Sequence, residues 1–208
     1  LNNASFIDVR APIEFQDGSL PNAINLPILN NKEREIIGKT YKEQGSDAAV
    51  KLGYELISGK TKEQRLQYWT NHIAKNPKAL VYCFRGGQRS QITQKWLNEI
   101  GYDVSIIQGG YKAIRNYFLD SISQFSKNKN LNLLSGHTGS GKTQLLANLE
   151  KHEFCLNLEK LANHRGSAFG AYNSNQPTQI NFENYLAIEM IRLHETDNIL
   201  IEDESRLI

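Results

Sequence analysis

The sequence is short of cysteine, of net charge and of long apolar runs. Only Cys83 and Cys155 occur in 208 residues, with no Cys-x-x-Cys pair. That argues against a disulfide framework and a thiolate zinc site, and it suits a reducing compartment. The formal net charge is only +2, so bulk charge does not identify a nucleic-acid partner, and a local basic patch would have to do that work. No apolar run reaches membrane-spanning length and no signal peptide is visible, so the expectation is a cytoplasmic protein with no membrane partner. There is no internal repeat and no low-complexity tract. There is also no initiator Met: the chain opens on Leu1, enters a strand almost at once, and stops at Ile208 just after another. A phosphate-loop domain normally has more parallel strands than this, so the expectation is part of a longer polypeptide.

Hydrophobic residues make up 39% and charged residues 22%, which supports globular cores, in one large or two small domains. Strand patterns fall at Ser5–Val9, Ala23–Leu26, Leu80–Tyr82, Val104–Ile107, 131–135, Phe154–Leu158 and Asn198–Ile201. Helical spacing lies between them, at Ser90–Ile100, Ala113–Ile122, 142–151 and 181–195. Residues 30–76 are a polar helical insert that Gly45, Gly53 and Gly59 break into several helices. The polar segment 123–130 reads as a linker between a domain over 1–122 and the first part of another over 131–208. Alternating strands and helices predict α/β architecture with parallel sheets in both.

Two loops carry chemistry. Cys83-Phe84-Arg85-Gly86-Gly87-Gln88-Arg89-Ser90 joins a strand to a helix. Backbone N–H groups and a helix N-terminus favour a thiolate at such a place, and Arg85 and Arg89 favour it and any bound oxyanion further. Gly86 and Gly87 let the backbone curl around the anion. The catalytic candidates are therefore Cys83, Arg85 and Arg89. Cys155, within an apolar strand, reads as core.

The second loop, Gly136-His137-Thr138-Gly139-Ser140-Gly141-Lys142-Thr143, is a Walker A pattern between strand and helix. Gly136, Gly139, Ser140, Gly141, Lys142 and Thr143 would cradle a diphosphate, with Thr143 also on Mg²⁺. Ile199-Leu200-Ile201-Glu202-Asp203-Glu204 reads as the partner strand that ends in a metal-supporting carboxylate, Glu202 or Asp203. Nothing in the loop demands a third phosphate. Asn163, His164 and Arg165 follow the second strand of this domain, where a ligand edge lies, and are candidate substrate contacts.

Asp8-Val9-Arg10, Glu14-Phe15, Gly18 to Pro27, the cysteine loop and Gly109-Gly110-Tyr111 together resemble a rhodanese domain. The resemblance implies a cysteine that carries sulfur or selenium. Five residues separate Cys83 from Arg89, where many single-domain rhodaneses have four. Cys-x5-Arg-Ser is also the signature of cysteine-dependent phosphatases, one family of which shares this fold. A phosphatase joined to a nucleotide-binding domain is therefore the alternative, although Tyr82 stands where such phosphatases usually have His.

The rhodanese pattern followed by a phosphate loop, with Glu33-Arg34, Gly38 to Lys42 and Leu161 to Gly170, resembles the bacterial tRNA 2-selenouridine synthase family. The resemblance implies a transferase that geranylates the wobble 2-thiouridine of tRNA from geranyl diphosphate. It then replaces sulfur by selenium from selenophosphate, which a separate supplying enzyme could provide. It implies tRNA as partner, Mg²⁺ at the phosphate loop, and selenophosphate held by Arg85 and Arg89. Lys32, Arg34, Lys39, Lys42, Lys51, Lys60, Lys62, Arg65, Lys127 and Lys129 are the basic residues available to RNA.

Overall fold

The structure, a computed structural model, describes residues 4–137, 140–149, 154–163 and 176–202, without the side chains of Ser126, Thr143, Ala147 and Glu202. The chain divides into two units, Leu1–Ile114 and Arg115–Ile208.

The first unit is built on a four-stranded parallel sheet of order β2-β1-β3-β4, made of β1 Phe6–Asp8, β2 Ala23–Asn25, β3 Leu80–Tyr82 and β4 Ser105–Ile106. Ile7 pairs with Ile24 on one side and Val81 on the other. Ile7, Val9 and Val81 are fully buried, as expected of parallel strands covered on both faces. Each such side chain removed from water stabilises by roughly 1.5–3 kcal/mol.

Helices α1 Pro12–Asp17, α2 Asn31–Gln44, α3 Ser46–Leu56, α4 Gly59–Lys75 and α5 Gln88–Glu99 surround the sheet. Pro12 opens α1 with its φ already set for a helix. A reciprocal cap starts α2: the Asn30 side chain accepts from the Glu33 N–H at 2.9 Å, and Glu33 accepts from the Asn30 N–H at 2.7 Å. Gly45 and Gly59, both at positive φ, mark breaks in the insert. Gly53 does not break it. It lies inside α3, with Ile37 Cδ1 3.6 Å from where a Cβ would stand, an ordinary contact where α3 packs on α2. The insert joins the core through Trp69, which is fully buried and donates its indole N–H to the Leu26 carbonyl at 2.8 Å.

Helix α6 spans Gly110–Asn128. Residues 123–128, read from sequence as linker, are its last turns, because Phe125 is buried against Leu156, Leu193 and Ile199. The two units divide between Ile114 and Arg115.

The second unit holds β5 Asn130–Leu134, α7 Lys142–Leu149, β6 Cys155–Leu156, α8 Leu158–Ala162, α9 Gln179–Arg192 and β7 Asn198–Glu202. Its parallel sheet has the order β5-β7-β6. Cys155 is buried in it, as expected. The strand predicted to reach Leu158 stops at Leu156, because the Asn157 side chain accepts from the Lys160 N–H at 2.8 Å and caps α8. Among the described residues, no helix is long and apolar enough to cross a membrane.

Candidate active sites

Strand β3 delivers Cys83 at its C-terminal end, and α5 begins five residues later. The thiol is 3% exposed. Its sulfur lies 3.2 Å from Ser90 Oγ, and Ser90, itself fully buried, donates to the Gly87 carbonyl at 3.0 Å. The serine hydroxyl has one proton. A neutral Cys83 has two acceptors, Ser90 Oγ at 3.2 Å and the Gly87 carbonyl at 3.9 Å, while Ser90 keeps Gly87. A thiolate would accept from Ser90 only if the hydroxyl turned its proton from that carbonyl onto sulfur. Ser90 is thus the direct side-chain partner of the sulfur, a role that the Cys-x5-Arg-Ser spacing could have signalled.

The two arginines of the loop are placed differently. Arg89 is clamped by Glu14, with Nη1 2.6 Å from Oε2 and Nη2 3.1 Å from Oε1. Glu14 also accepts from the Ala11 N–H at 3.1 Å and meets Arg34 of α2 at 3.2 Å. Burial pushes the Glu14 carboxyl up, but the hydrogen bonds and charge of Arg89, the Ala11 N–H and the Arg34 charge outweigh it, and the carboxyl sits below its ordinary range. Arg85 is exposed, its guanidinium 5.9 Å from the Phe84 ring centre.

The loop is pinned from outside. The N–H groups of Tyr111 and Lys112, in the first turn of α6, donate to the carbonyls of Cys83 and Phe84, both at 2.9 Å. Gly110, at φ +59°, lies so close that a Cβ there would stand 2.3 Å from the Cys83 oxygen and 2.5 Å from the Gly86 nitrogen. The glycine pair that marks the rhodanese resemblance is therefore part of the cysteine loop's support.

Beneath the loop, Asp8 and Arg10 are buried together, with Arg10 Nη2 2.6 Å from Asp8 Oδ2 and 2.8 Å from the Gly18 carbonyl. Burial lowers the Arg10 pKa, but its hydrogen bond and charge interaction with Asp8 raise it further. The guanidinium lies 4.1 Å from the Tyr111 ring centre, and Tyr111 stacks on Tyr82. Burial, then the Asp8 charge, keeps the Tyr82 phenol above its ordinary range and therefore neutral; it accepts from the Leu20 N–H at 3.4 Å.

In the second unit, β5 runs into the phosphate loop and α7 leaves it. Lys142 Nζ donates to the Gly136 carbonyl, Ser140 N–H to the His137 carbonyl at 3.1 Å, and Gly141 turns at φ +87°. A Cβ on Gly136 would stand 2.9 Å from Ser140 Oγ. The loop thus brings Gly136, Ser140, Gly141 and Lys142 together, with the lysine folded back on its own backbone. Glu202 ends β7 in register with Leu134, beside the strand that feeds the loop. The Thr143 and Glu202 side chains, and Gly139, His164, Arg165 and Asp203 entirely, lie outside the described residues. Asn163 adopts φ +51° and caps α8, its N–H meeting the Glu159 and Lys160 carbonyls; this left-handed C-cap suits asparagine.

Several of the basic residues considered for RNA are paired. Lys39 meets Glu43 at 4.0 Å, Arg65 meets Glu33 at 3.5 Å, and Lys62 meets Glu99 at 3.5 Å and lies 4.7 Å from the Trp96 ring centre. Lys129 donates to the His194 carbonyl at 2.6 Å and meets Asp197 at 3.7 Å.

Comparison with known proteins follows the same division. A rhodanese-like domain matches residues 1–117, and the tRNA 2-selenouridine synthase AAA domain matches 129–208. Proteins named tRNA 2-selenouridine synthase are similar along almost the whole chain. That of Nitrosomonas europaea is 52% identical over 203 residues, covering 96% of this chain and 53% of its own. That of Bdellovibrio bacteriovorus is 50% identical over 210 residues, covering 99% and 55%. The chain spans about half the length of the curated relatives it matches. A solved structure, the N-terminal domain of a Clostridium difficile 630 protein named for ATP/GTP binding, is similar with a TM-score of 0.50 and 32% identity, covering 56% of this chain and 90% of its own.

Proposed function

Because the chain belongs to the rhodanese-like family over residues 1–117 and matches the tRNA 2-selenouridine synthase AAA domain over 129–208, we propose that it replaces sulfur by selenium at the wobble 2-thiouridine of tRNA by way of a geranylated intermediate. One observation carries this reading. A cysteine loop pinned by Gly110 and a lysine-bearing phosphate loop occur in one chain, and the residues around both follow relatives named for that activity at about half identity.

In the first step the thiocarbonyl sulfur attacks the terminal carbon of geranyl diphosphate. The carbon–oxygen bond breaks, diphosphate leaves with the electron pair, and the base proton goes to solvent. Lys142 exchanges the Gly136 carbonyl for the diphosphate, and the Ser140 N–H, which holds the His137 carbonyl at 3.1 Å, exchanges it for the same charge. The pairing of Leu134 with Glu202 sets the end of β7 beside the loop, a placement that fits Mg²⁺ held by Thr143 with Glu202 or Asp203. When bound, the ion would neutralise charge on the diphosphate. Asn163, His164 and Arg165 stand as candidate contacts to the substrate.

In the second step selenium from selenophosphate attacks the base carbon that carries the geranylthio group. The carbon–sulfur bond breaks, geranylthiolate leaves and takes a proton, and water hydrolyses the selenium–phosphorus bond to give phosphate. Selenium stays at the selenide level, so neither oxidant nor reductant is needed. The Cys83 loop receives selenophosphate, with Arg85 exposed to meet the phosphoryl oxygens and Arg89 held ready by Glu14. Delivery by a selenophosphate-producing enzyme and a cytoplasmic setting belong to this reading.

Mass spectrometry of tRNA nucleosides tests it. Geranyl diphosphate alone should give the S-geranyl nucleoside, selenophosphate alone no change, and both together the selenouridine. Hydrolysis of a small aryl phosphate with no selenium incorporated would replace this reading with the phosphatase one.

A further inference from the structure

Helices α2 and α3 of the insert do more than decorate the first unit. Together with α5 they enclose a cavity of about 210 Å³. Its walls are almost wholly apolar, with Ile37 from α2, Val50 from α3, Ile92 and Trp96 from α5, and Ile28 and Ile57 beneath. Small-molecule sites are concave and mostly apolar with a few polar groups, and an apolar chamber of this kind at the surface is a place for a ligand. A dry cavity of roughly 150 Å³ with such a lining takes a benzene ring. The larger volume here suits a branched hydrocarbon chain.

Three further observations narrow the occupant. Gln88 and Arg89, both from the cysteine loop, line the cavity, so its occupant lies against the elements that hold Cys83. Tyr41 and Tyr54 also line it and are 60% and 40% exposed, with the Tyr54 ring edge-to-face against Trp96 at 6.0 Å, so aromatic surface of the kind on which bases stack stands at the rim. A second cleft of about 570 Å³ shares Ser46, Val50, Tyr54 and Gln88 with the cavity and adds Lys51, Asp47 and Glu55. The whole is an apolar chamber with an aromatic rim and a polar approach that carries Lys51, Asp47 and Glu55, next to a thiol loop. That shape fits a nucleotide bearing an apolar chain.

We infer that this cavity holds the prenyl chain of the S-prenylated wobble nucleoside while the base is presented to the Cys83 loop. The inference rests on the proposed reaction for the identity of the chain, and it assigns the insert a purpose in that reaction: it roofs the leaving group. Apolar burial of the departing group also orients the base carbon, because the chain can enter the cavity only with its sulfur toward the mouth.

The test is binding to the full chain, read by the fluorescence of Trp96, with Trp96→Phe as the control that isolates its signal from that of Trp69. The probes are S-geranyl-2-thiouridine, plain 2-thiouridine and the longer S-farnesyl nucleoside. The geranyl nucleoside should give a saturable change, and 2-thiouridine should bind at least tenfold more weakly. Val50→Phe fills the chamber and should weaken the geranyl nucleoside at least tenfold while leaving 2-thiouridine within twofold. Ile37→Ala enlarges it and should shift preference toward the farnesyl nucleoside, a gain that a merely destabilised variant cannot give. Equal binding of plain and geranylated nucleosides, or geranyl affinity and chain-length preference unmoved by both variants, overturns the inference even when wild-type protein makes selenouridine. Chain-selective binding without any tRNA geranylation would instead uphold the cavity assignment and overturn the reaction.

Discussion

Replacing Gly110 by alanine should loosen the cysteine loop without touching a reactive atom. Gly110 sits at φ +59°, and a left-handed conformation costs an L-residue with a Cβ about 1–2 kcal/mol. The new methyl would stand 2.3 Å from the Cys83 oxygen, 2.5 Å from the Gly86 nitrogen and 3.0 Å from the Arg85 carbonyl carbon. All three are backbone atoms, so no side chain can swing aside. The loop must retreat, at an overpacking cost of about 1–3 kcal/mol. The bonds from the Tyr111 and Lys112 N–H groups stretch with it, and the expected loss is about 3–5 kcal/mol in all. The neighbouring Gly87 supplies the control, because it has φ −92° and a Cβ there meets nothing within 4 Å. Urea denaturation reads the stability, and alkylation of the native protein followed by peptide mapping reads Cys83 separately from Cys155. Gly110→Ala should lower the urea midpoint and expose the 3%-accessible thiol, raising its alkylation rate, while Gly87→Ala stays within about 0.5 kcal/mol of wild type. Equal midpoints and equal alkylation rates for the two variants would refute the pinning of the loop by Gly110.

Four more outcomes are expected. Arg10→Met leaves the fully buried Asp8 carboxylate without its partner and should cost about 3–5 kcal/mol in denaturant unfolding; the paired change Arg10→Met with Asp8→Leu should recover much of it. Glu14 has a folded pKa below its ordinary 4.5, so its pairing stabilises fully above that value and is lost as pH falls through the lower folded one. Glu14→Gln should therefore flatten the acid limb of the stability–pH curve, and an unchanged limb would place the titration elsewhere. Cys83→Ala should stop selenium incorporation and spare geranylation, whereas Lys142→Ala should stop geranylation through loss of a charge-assisted contact of about 1.5–3 kcal/mol; mass spectrometry of nucleosides separates the two, and loss of both steps in a folded Cys83→Ala variant contradicts the division. tRNA affinity should fall with salt, but Lys39→Glu with Lys42→Glu should reduce it more than Lys129→Glu, since Lys129 is mostly buried and held by Asp197 and the His194 carbonyl, whereas Lys39 is exposed and meets Glu43 only at 4.0 Å.

The chemistry-bearing loops were legible in the sequence because their signals are local. A cysteine or a Gly-x4-Gly-Lys-Thr run between an apolar strand and a helical period carries its own backbone requirement, and the structure puts both loops at the ends of parallel strands. Asn30 and Glu33 sit three residues apart and set the start of α2 by themselves. Contacts between distant segments had no such signal. Polar residues 123–128 are helical because Phe125 reaches a core built from β6, β7 and the end of α9, and Gly53 lies inside α3 beside Ile37 of α2 rather than ending the helix. Arg89 reads as an anion ligand in sequence, and only folding shows that Glu14, 75 residues away, positions it. Nothing about Gly110 announces that it lies against Cys83, and nothing about the insert announces the chamber it roofs. The chain sequence determined which residues could do chemistry, through spacings of a few residues that dictate local backbone. Tertiary structure decided which partner each one meets, because burial and charge pairing are settled between segments that only folding brings together.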